Sequence, residues 1–193
     1  IAPRGPCPVL FGLRARKSDV ANDAACHLLE SSSTERNSGM RVFTTNQASD
    51  DHLGDDLCDV VIETEILSRG AVVINCEQNK LLAFSESGDI KLLAQWLIKS
   101  DKIRFNGLKN EDGVYHLERL KIDKSSVLME RPHCIKCNVR MKSMGQNQPV
   151  RCPKCRTRSE QKWIETPRVP PTLDWVQAPL DSRRHLTRPL EWN

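Results

Sequence analysis

The chain has 193 residues, 28% of them charged, with 29 Lys and Arg against 25 Asp and Glu for a formal net charge of +4. That length suits one ordinary domain or two to three small ones, and no run of eighteen apolar residues occurs, which excludes a transmembrane helix of ordinary span. The opening IAPRGPCPVLFGLRAR lacks a signal peptide's apolar centre and small-residue cleavage site, so a cytoplasmic protein is expected.

In chain order, PVLFGLRAR alternates as a half-buried strand would, and Ser18 offers a cap for a helix over DVANDAACHLLE. Val20, Ala24 and Leu28 form one stripe of that helix and Ala21, Ala25 and Leu29 its neighbour; a polar run ends it, and MRVFTT reads as a second strand. Such a unit is too small to bury two layers alone. It is expected either to be half of an α+β sandwich or to dock onto something outside these residues, the sequence entering mid-domain.

From Asp59 the pattern changes to short strands at close spacing: DVVIETEIL, GAVVINCEQ and KLLAFSE, punctuated at Ser68–Gly70, Gln78–Asn79 and Ser87–Asp89. A short helical stretch, IKLLAQWLIK, precedes two strands joined across an NEDG turn within DKIRFNGLKNEDGVYHLERLKI. Three strands, a helix and two strands describe an OB-type barrel, a scaffold that binds oligonucleotides or oligosaccharides on a strand face.

HCIKC and RCPKC then place Cys134 and Cys137 fourteen residues from Cys152 and Cys155. Each CxxC turns two thiolates onto one metal, and two such turns complete the tetrahedral shell of a closed structural zinc ribbon. A redox dithiol or an iron–sulfur cluster fits this spacing less well. With four thiolates the metal has no open position, so its role is to fold the module. Cys7, Cys26, Cys58 and Cys76 are scattered and read as small buried hydrophobes in a reducing compartment.

Charge divides sharply at Glu130. Residues 1–130 hold sixteen Lys and Arg against twenty Asp and Glu, whereas residues 131–193 hold thirteen against five. The second part is therefore +8, and clustered positive charge on a small module points to a polyanion such as RNA. Lys136, Arg140, Lys142, Arg151, Lys154, Arg156 and Arg158 surround the cysteines, and Arg183, Arg184, His185 and Arg188 stand in the tail. Arginine grips phosphate in a bidentate fork and lysine supplies a mobile charge. The tail, RVPPTLDWVQAPLDSRRHLTRPLEWN, shows no sustained period and is expected to be an extended docking segment. Asn46, Gln47, Asp50, Asp51 and His52 gather after the second strand, suited either to a cationic ligand or to an Asx turn that satisfies its own backbone. No complete active-site motif is visible.

These segments together resemble the carboxy-terminal part of the archaeal isoleucine tRNA agmatidine synthases, which join agmatine to the anticodon wobble cytidine using ATP. RGPCPVLFGLR is similar to the family's RGPxPVLYGIR, TNQASDDHL to TNQGTDDHL, CIKCNVRMKSMGQNQPVRCPKC to its ribbon, and DSRRHLTRPL to SARRHLxKPL. Two departures stand out: Cys7 occupies an acidic position, and SRGAVV lacks the family's paired glycines and histidine. The resemblance implies an α+β multidomain chain: a partial ferredoxin-like domain over 1–57, an OB-fold over 58–126, a zinc ribbon over 127–165 and a docking tail over 166–193. It also implies the isoleucine tRNA with a CAU anticodon as partner, structural zinc as resident metal, and Asn46, Asp50, Asp51 and His52 at an agmatine pocket. ATP and agmatine would be handled through a kinase-like catalytic domain outside these residues, so this chain alone is not expected to catalyse the reaction. A different class, a stand-alone OB-fold and zinc-ribbon protein binding single-stranded nucleic acid, shares the same elements, and a protein-docking scaffold is a third.

Overall fold

The computed structural model describes residues 11–31, 33 and 36–192. They fall into two compact units, one ending at Asn46 and the other starting at Gln47.

The first unit contains α1 (Ser18–Leu29). Ser18 is its first helical residue rather than its cap: Lys17 takes the extended cap conformation without a side-chain capping bond, and its carbonyl accepts from the Ala21 N–H. Asp19 instead receives the Val20 N–H at 2.9 Å and places negative charge at the positive end of the helix. Of the two stripes, Ala21–Ala25–Leu29 turns inward, with Ala25 buried, while Val20 and Leu28 stay exposed. Neither flanking strand is seen among the described residues. Pro8–Leu10 lie outside the described residues, and Phe11–Arg16 and Met40–Thr45 carry no strand. Apolar alternation supplies one face of a strand but not the ladder partner that makes it one.

The second unit is built on β1 (Leu57–Ile66), β2 (Val72–Cys76), β3 (Lys80–Ala83), α2 (Asp89–Trp96), β4 (Lys102–Lys109) and β5 (Val114–Lys124). β1 pairs with β2 and β4, β2 with β3, β3 with β5 in parallel, and β5 with β4, which closes a five-stranded barrel. The expected order of three strands, helix and two strands is the one observed. Closure removes sheet edges, and inward positions alternate along each strand: Val72, Ile74 and Cys76 on β2, Ile103 and Phe105 on β4, and Leu120 and Ile122 on β5. α2 adds Ile90, Leu93 and Ala94 to the same core.

Two glycines make this geometry possible. Gly113 closes the NEDG turn at φ +82, with Asn110 Oδ1 accepting the Val114 N–H at 2.8 Å. Gly107 lies where the β4–β5 register shifts, and a Cβ there would overlap the His116 carbonyl oxygen.

Five short strands follow the barrel: β6 (Leu128–Glu130), β7 (Lys142–Ser143), β8 (Val150–Arg151), β9 (Arg158–Ser159) and β10 (Ile164–Thr166). β6 and β10 pair as a two-stranded stem, and β7, β8 and β9 form a small antiparallel sheet between them in sequence. A separate small core of Met141 and Val150 packs there with Cys134 and Cys152. The tail is more structured than its lack of period suggests: β11 (Val176–Gln177) adds to β5, Ala178 joins the barrel core, and Leu190–Trp192 form a short 3-10 turn. Two-residue strands leave no periodic signal to read. The fold as a whole is α+β, with a closed barrel and a four-cysteine ribbon. No helix among the described residues is long and apolar enough to cross a membrane.

Candidate metal centre and nucleic-acid interface

Each CxxC forms a tight knuckle. The Asn138 N–H donates to the Cys134 carbonyl at 2.7 Å and the Cys134 N–H to the Val139 carbonyl; in the second knuckle Arg156 donates to Cys152 at 3.0 Å and Cys152 to Thr157. Asn138 and Arg156 take left-handed backbones to make these turns, φ 49 and 63. The four sulfurs consequently lie within 4.8 Å of one another, with Cys134 and Cys152 buried, Cys137 half-buried and Cys155 exposed. A tetrahedral shell with Zn–S near 2.3 Å separates its sulfurs by roughly 3.8 Å, so the cluster fits zinc without rearrangement of the backbone. Among the described residues this is the only group of three or more metal-capable side chains within such reach.

Packed thiols without a cation share protons unequally. Hydrogen bonds from the Thr157 hydroxyl and backbone lower Cys155 to about 6, while Cys137, bonded to Cys155 and partly desolvated, rises to about 12. A divalent cation would relieve that inequality by holding all four as thiolates.

The basic residues take two different positions. Lys136, Arg140, Lys142, Lys154 and Arg156 project from the knuckles and the small sheet and are exposed; Arg151 is half-buried on β8. Arg140 pairs with Glu130 of the stem at 2.7 Å, whereas Lys136, Lys154 and Arg156 have no ion pair among the described residues. Arg183 and Arg184 are instead engaged by the barrel: Arg183 Nε donates to the Ala178 carbonyl at 3.0 Å, and Arg184 Nε lies 2.9 Å from Glu118 Oε1. Burial, reinforced by the Arg119 charge and opposed by Glu191, lowers the Arg183 guanidinium below its ordinary value. His185 is exposed, and its carbonyl accepts the Ala48 N–H at 2.9 Å.

Asp50 and His52 are used structurally. Asp50 Oδ2 accepts from Arg119 at 2.7 Å and its Oδ1 from the Arg188 N–H at 2.7 Å, while His52 Nε2 sits 2.8 Å from Glu118 Oε2. Thr187 Oγ1 donates to the same carboxylate oxygen. Residues 48–50 are laced to 185–188 by further bonds: the Asp50 N–H to the Leu186 carbonyl, and Arg188 Nε and Nη2 to the carbonyls of Ala48 and Ser49. Within the segment, the Ser49 hydroxyl accepts the Asp51 N–H at 3.1 Å, a serine rather than an Asx turn. Asp51 is exposed, and Asn46, also exposed, closes the first unit. Two segments remote in sequence, SDDHL and RRHLTRPL, thus meet on Glu118 and Arg119 of β5. Sequence alone does not single out those two residues, since their only cue is a charged pair within an apolar strand.

Cys76 is buried on β2 as expected, but Cys26 and Cys58 are exposed, and Cys7 lies outside the described residues. Cys26 lies on an exposed face of α1, and Cys58 on the outward side of β1.

Two family descriptions match the chain: the TiaS FLD domain over residues 1–52 and the TiaS C-terminal zinc ribbon domain over residues 131–169. The chain is related to TiaS. It is 29% identical over 208 residues to the isoleucine tRNA 2-agmatinylcytidine synthetase TiaS of Archaeoglobus fulgidus, covering 97% of this chain and 48% of that protein. With the TiaS of Methanosarcina acetivorans it shares 30% identity over 211 residues, again 97% and 48% of the two. The crystal structure of a complex of TiaS with its isoleucine tRNA and ATP superposes with a TM-score of 0.74 at 25% identity, covering 98% of this chain and 48% of that one. The chain spans about half the length of the TiaS proteins it matches. Two of the segments that resemble the family, SDDHL within TNQASDDHL and RRHLTRPL within DSRRHLTRPL, are those that interlock on β5.

Proposed function

We propose that this chain is the tRNA-binding portion of an ATP-dependent ligase that attaches agmatine to the wobble cytidine of an isoleucine tRNA. ATP and agmatine chemistry then belongs to a kinase-like domain outside these 193 residues, and the boundaries 1–57, 58–126, 127–165 and 166–193 mark its accessory modules. The observation that carries the reading is the exposed basic knuckle edge, Lys136, Arg140, Lys154 and Arg156, borne on a four-cysteine frame. Relatedness to TiaS, one of whose structures holds an isoleucine tRNA and ATP, supplies the RNA and the nucleotide.

In this reading Cys134, Cys137, Cys152 and Cys155 hold a structural zinc that ties the two knuckles together and does no chemistry. The knuckle cations meet phosphates, fixing register on a folded RNA by backbone and shape. Lys142 and Arg151, paired across β7 and β8, extend that surface. Arg183, Arg184 and His185 serve first to dock the tail and offer only their outward edges to RNA. Of the residues assigned to agmatine, exposed Asp51 is free to face a ligand, Asn46 stands at the end of the first unit, and Asp50 and His52 act as scaffold.

Replacing Lys136, Arg140, Lys154 and Arg156 together by Gln tests the proposal. Retained zinc with affinity for the isoleucine tRNA at least ~100-fold weaker at low salt, and a salt slope shallower by about one for each phosphate no longer neutralised, is the expected result. Unchanged affinity and slope would sink the reading.

A further inference from the structure

Cations gather on one outer face of the barrel, although the barrel as a whole is not basic. Residues 58–126 hold ten Lys and Arg against eleven Asp and Glu, yet four of those ten cations stand together on β4 and β5. In register, Lys102 is opposite Lys124 and Arg104 opposite Lys121. Ile103, Phe105 and Ile122 alternate with them and are buried in the core, so the cations face outward. Lys102 and Lys124 are exposed, and Arg104 and Lys121 half-buried.

Like charges directly opposite on neighbouring strands stand roughly 5 Å apart at Cβ and destabilise a sheet. The barrel supplies little to offset this. On its other side β4 meets Cys58 and Val60 of β1, neither of them an acid. Asp123, the extra residue at the β5 irregularity, pairs with Arg104 Nη2 at 3.2 Å. Lys102, Lys121 and Lys124 have no ion pair among the described residues. Two like-charged pairs side by side, on a face whose packing does not use them, suit an anion supplied from outside the chain.

The place of the patch selects that anion. Lys102 follows Asp101, the carboxylate to which Arg168 returns from the ribbon stem, and Lys124 ends β5 shortly before β6 opens that stem. The patch therefore lies at the end of the barrel from which the basic ribbon leaves, where one extended polyanion can meet both. Lysines supply mobile point charges, which suit backbone phosphates and demand no particular base. We propose that Lys102, Lys121 and Lys124, with Arg104, form a second phosphate-binding surface on the outer β4–β5 face, which takes the RNA backbone beyond the stretch held by the ribbon. This rests on the RNA-binding reading and extends it to a module whose net charge gives no hint of such a role.

The test combines Lys102→Gln, Lys121→Gln and Lys124→Gln in the full chain and follows melting temperature and affinity for the isoleucine tRNA over a salt series. Affinity should fall at least ~10-fold at low salt, with a slope shallower by about one for each phosphate no longer neutralised. The melting temperature should stay level or rise, because two like-charged pairs are relieved. A lower melting temperature would assign the lysines to packing and overturn the proposal. Lys80→Gln with Lys91→Gln, on β3 and α2, should leave affinity and slope unchanged; an equal loss there would make the effect one of net charge and overturn it too. Polyglutamate bound as tightly as the tRNA, and weakened equally by the triple variant, would make the partner an acidic protein instead. A wild-type chain that binds no tRNA removes the RNA reading itself, whereas tRNA binding that the triple variant keeps in full removes only this surface.

Discussion

Arg168, just beyond the ribbon stem, lies on Asp101 of the barrel, with Nη1 2.8 and 2.9 Å from the two carboxylate oxygens. Asp101 is fully buried and also accepts from Ser126 N and Oγ and from the Ile98 N–H, so every lone pair that faces the protein is used. The guanidinium stacks on Trp96 at 3.6 Å and donates to its carbonyl. This pair binds the returning chain to the barrel beside the point where the ribbon leaves it. Removing one partner strands a buried charge: Arg168→Met should cost about 3–5 kcal/mol in urea unfolding, and Arg168→Met with Asp101→Asn appreciably less than twice that. A cost below ~1 kcal/mol for Arg168→Met would show that the interaction is dispensable.

The crossing of β4 over β5 leaves no room for a side chain at Gly107. Gly107→Ala pushes a methyl group into the His116 carbonyl, a backbone atom that cannot swing aside. The expected result is loss of at least ~2 kcal/mol or failure to fold, where Leu108→Ala on the same strand, 39% exposed, should cost under ~1 kcal/mol.

Cys76 carries a defined pH signature. Burial, aided by the Asp59 charge, pushes its thiol from 9.0 up to about 12, so the folded chain keeps a proton that the unfolded chain loses. The sign follows: the contribution is complete below pH 9 and disappears as pH rises from about 9 towards 12. Stability of the wild type should therefore fall more steeply over that interval than that of Cys76→Ala. Parallel pH curves for the two would contradict it.

Chelation should separate the ribbon from the barrel. The two cores share no residue, the larger spanning Val61 to Ala178 and the smaller Cys134 to Cys152. Stoichiometric zinc is expected on the folded chain, and stripping it, or Cys152→Ser, should erase the amide shifts of residues 131–160 while those of β1–β5 persist. Collapse of both sets together would show that the ribbon is part of the barrel's folding unit.

The barrel and the metal site were legible because both rest on local patterns: two-residue alternation with Gly-containing turns, and paired CxxC spacing. Ser18 misleads because a good capping residue stands one position inside the helix. The strands expected in the first unit are not seen among its described residues, since alternation is local and pairing is not. The residues that hold Asp50 and His52, namely Glu118, Arg119 and Arg188, lie 66 to 138 residues away, beyond the reach of any local pattern. Nothing in the tail's sequence announces that Val176 and Gln177 extend β5 or that Arg184 pairs with Glu118.

The proposed role of the exposed knuckle cations is tested most directly by comparing the isoleucine tRNA with an unstructured RNA of equal length over the same salt series. Grip by backbone and shape on a basic ribbon requires at least ~10-fold preference for the folded tRNA at every salt concentration, together with a steep salt slope for both. Equal affinities would reassign the chain to single-strand binding, and salt-independent binding of either RNA would contradict an electrostatic grip altogether.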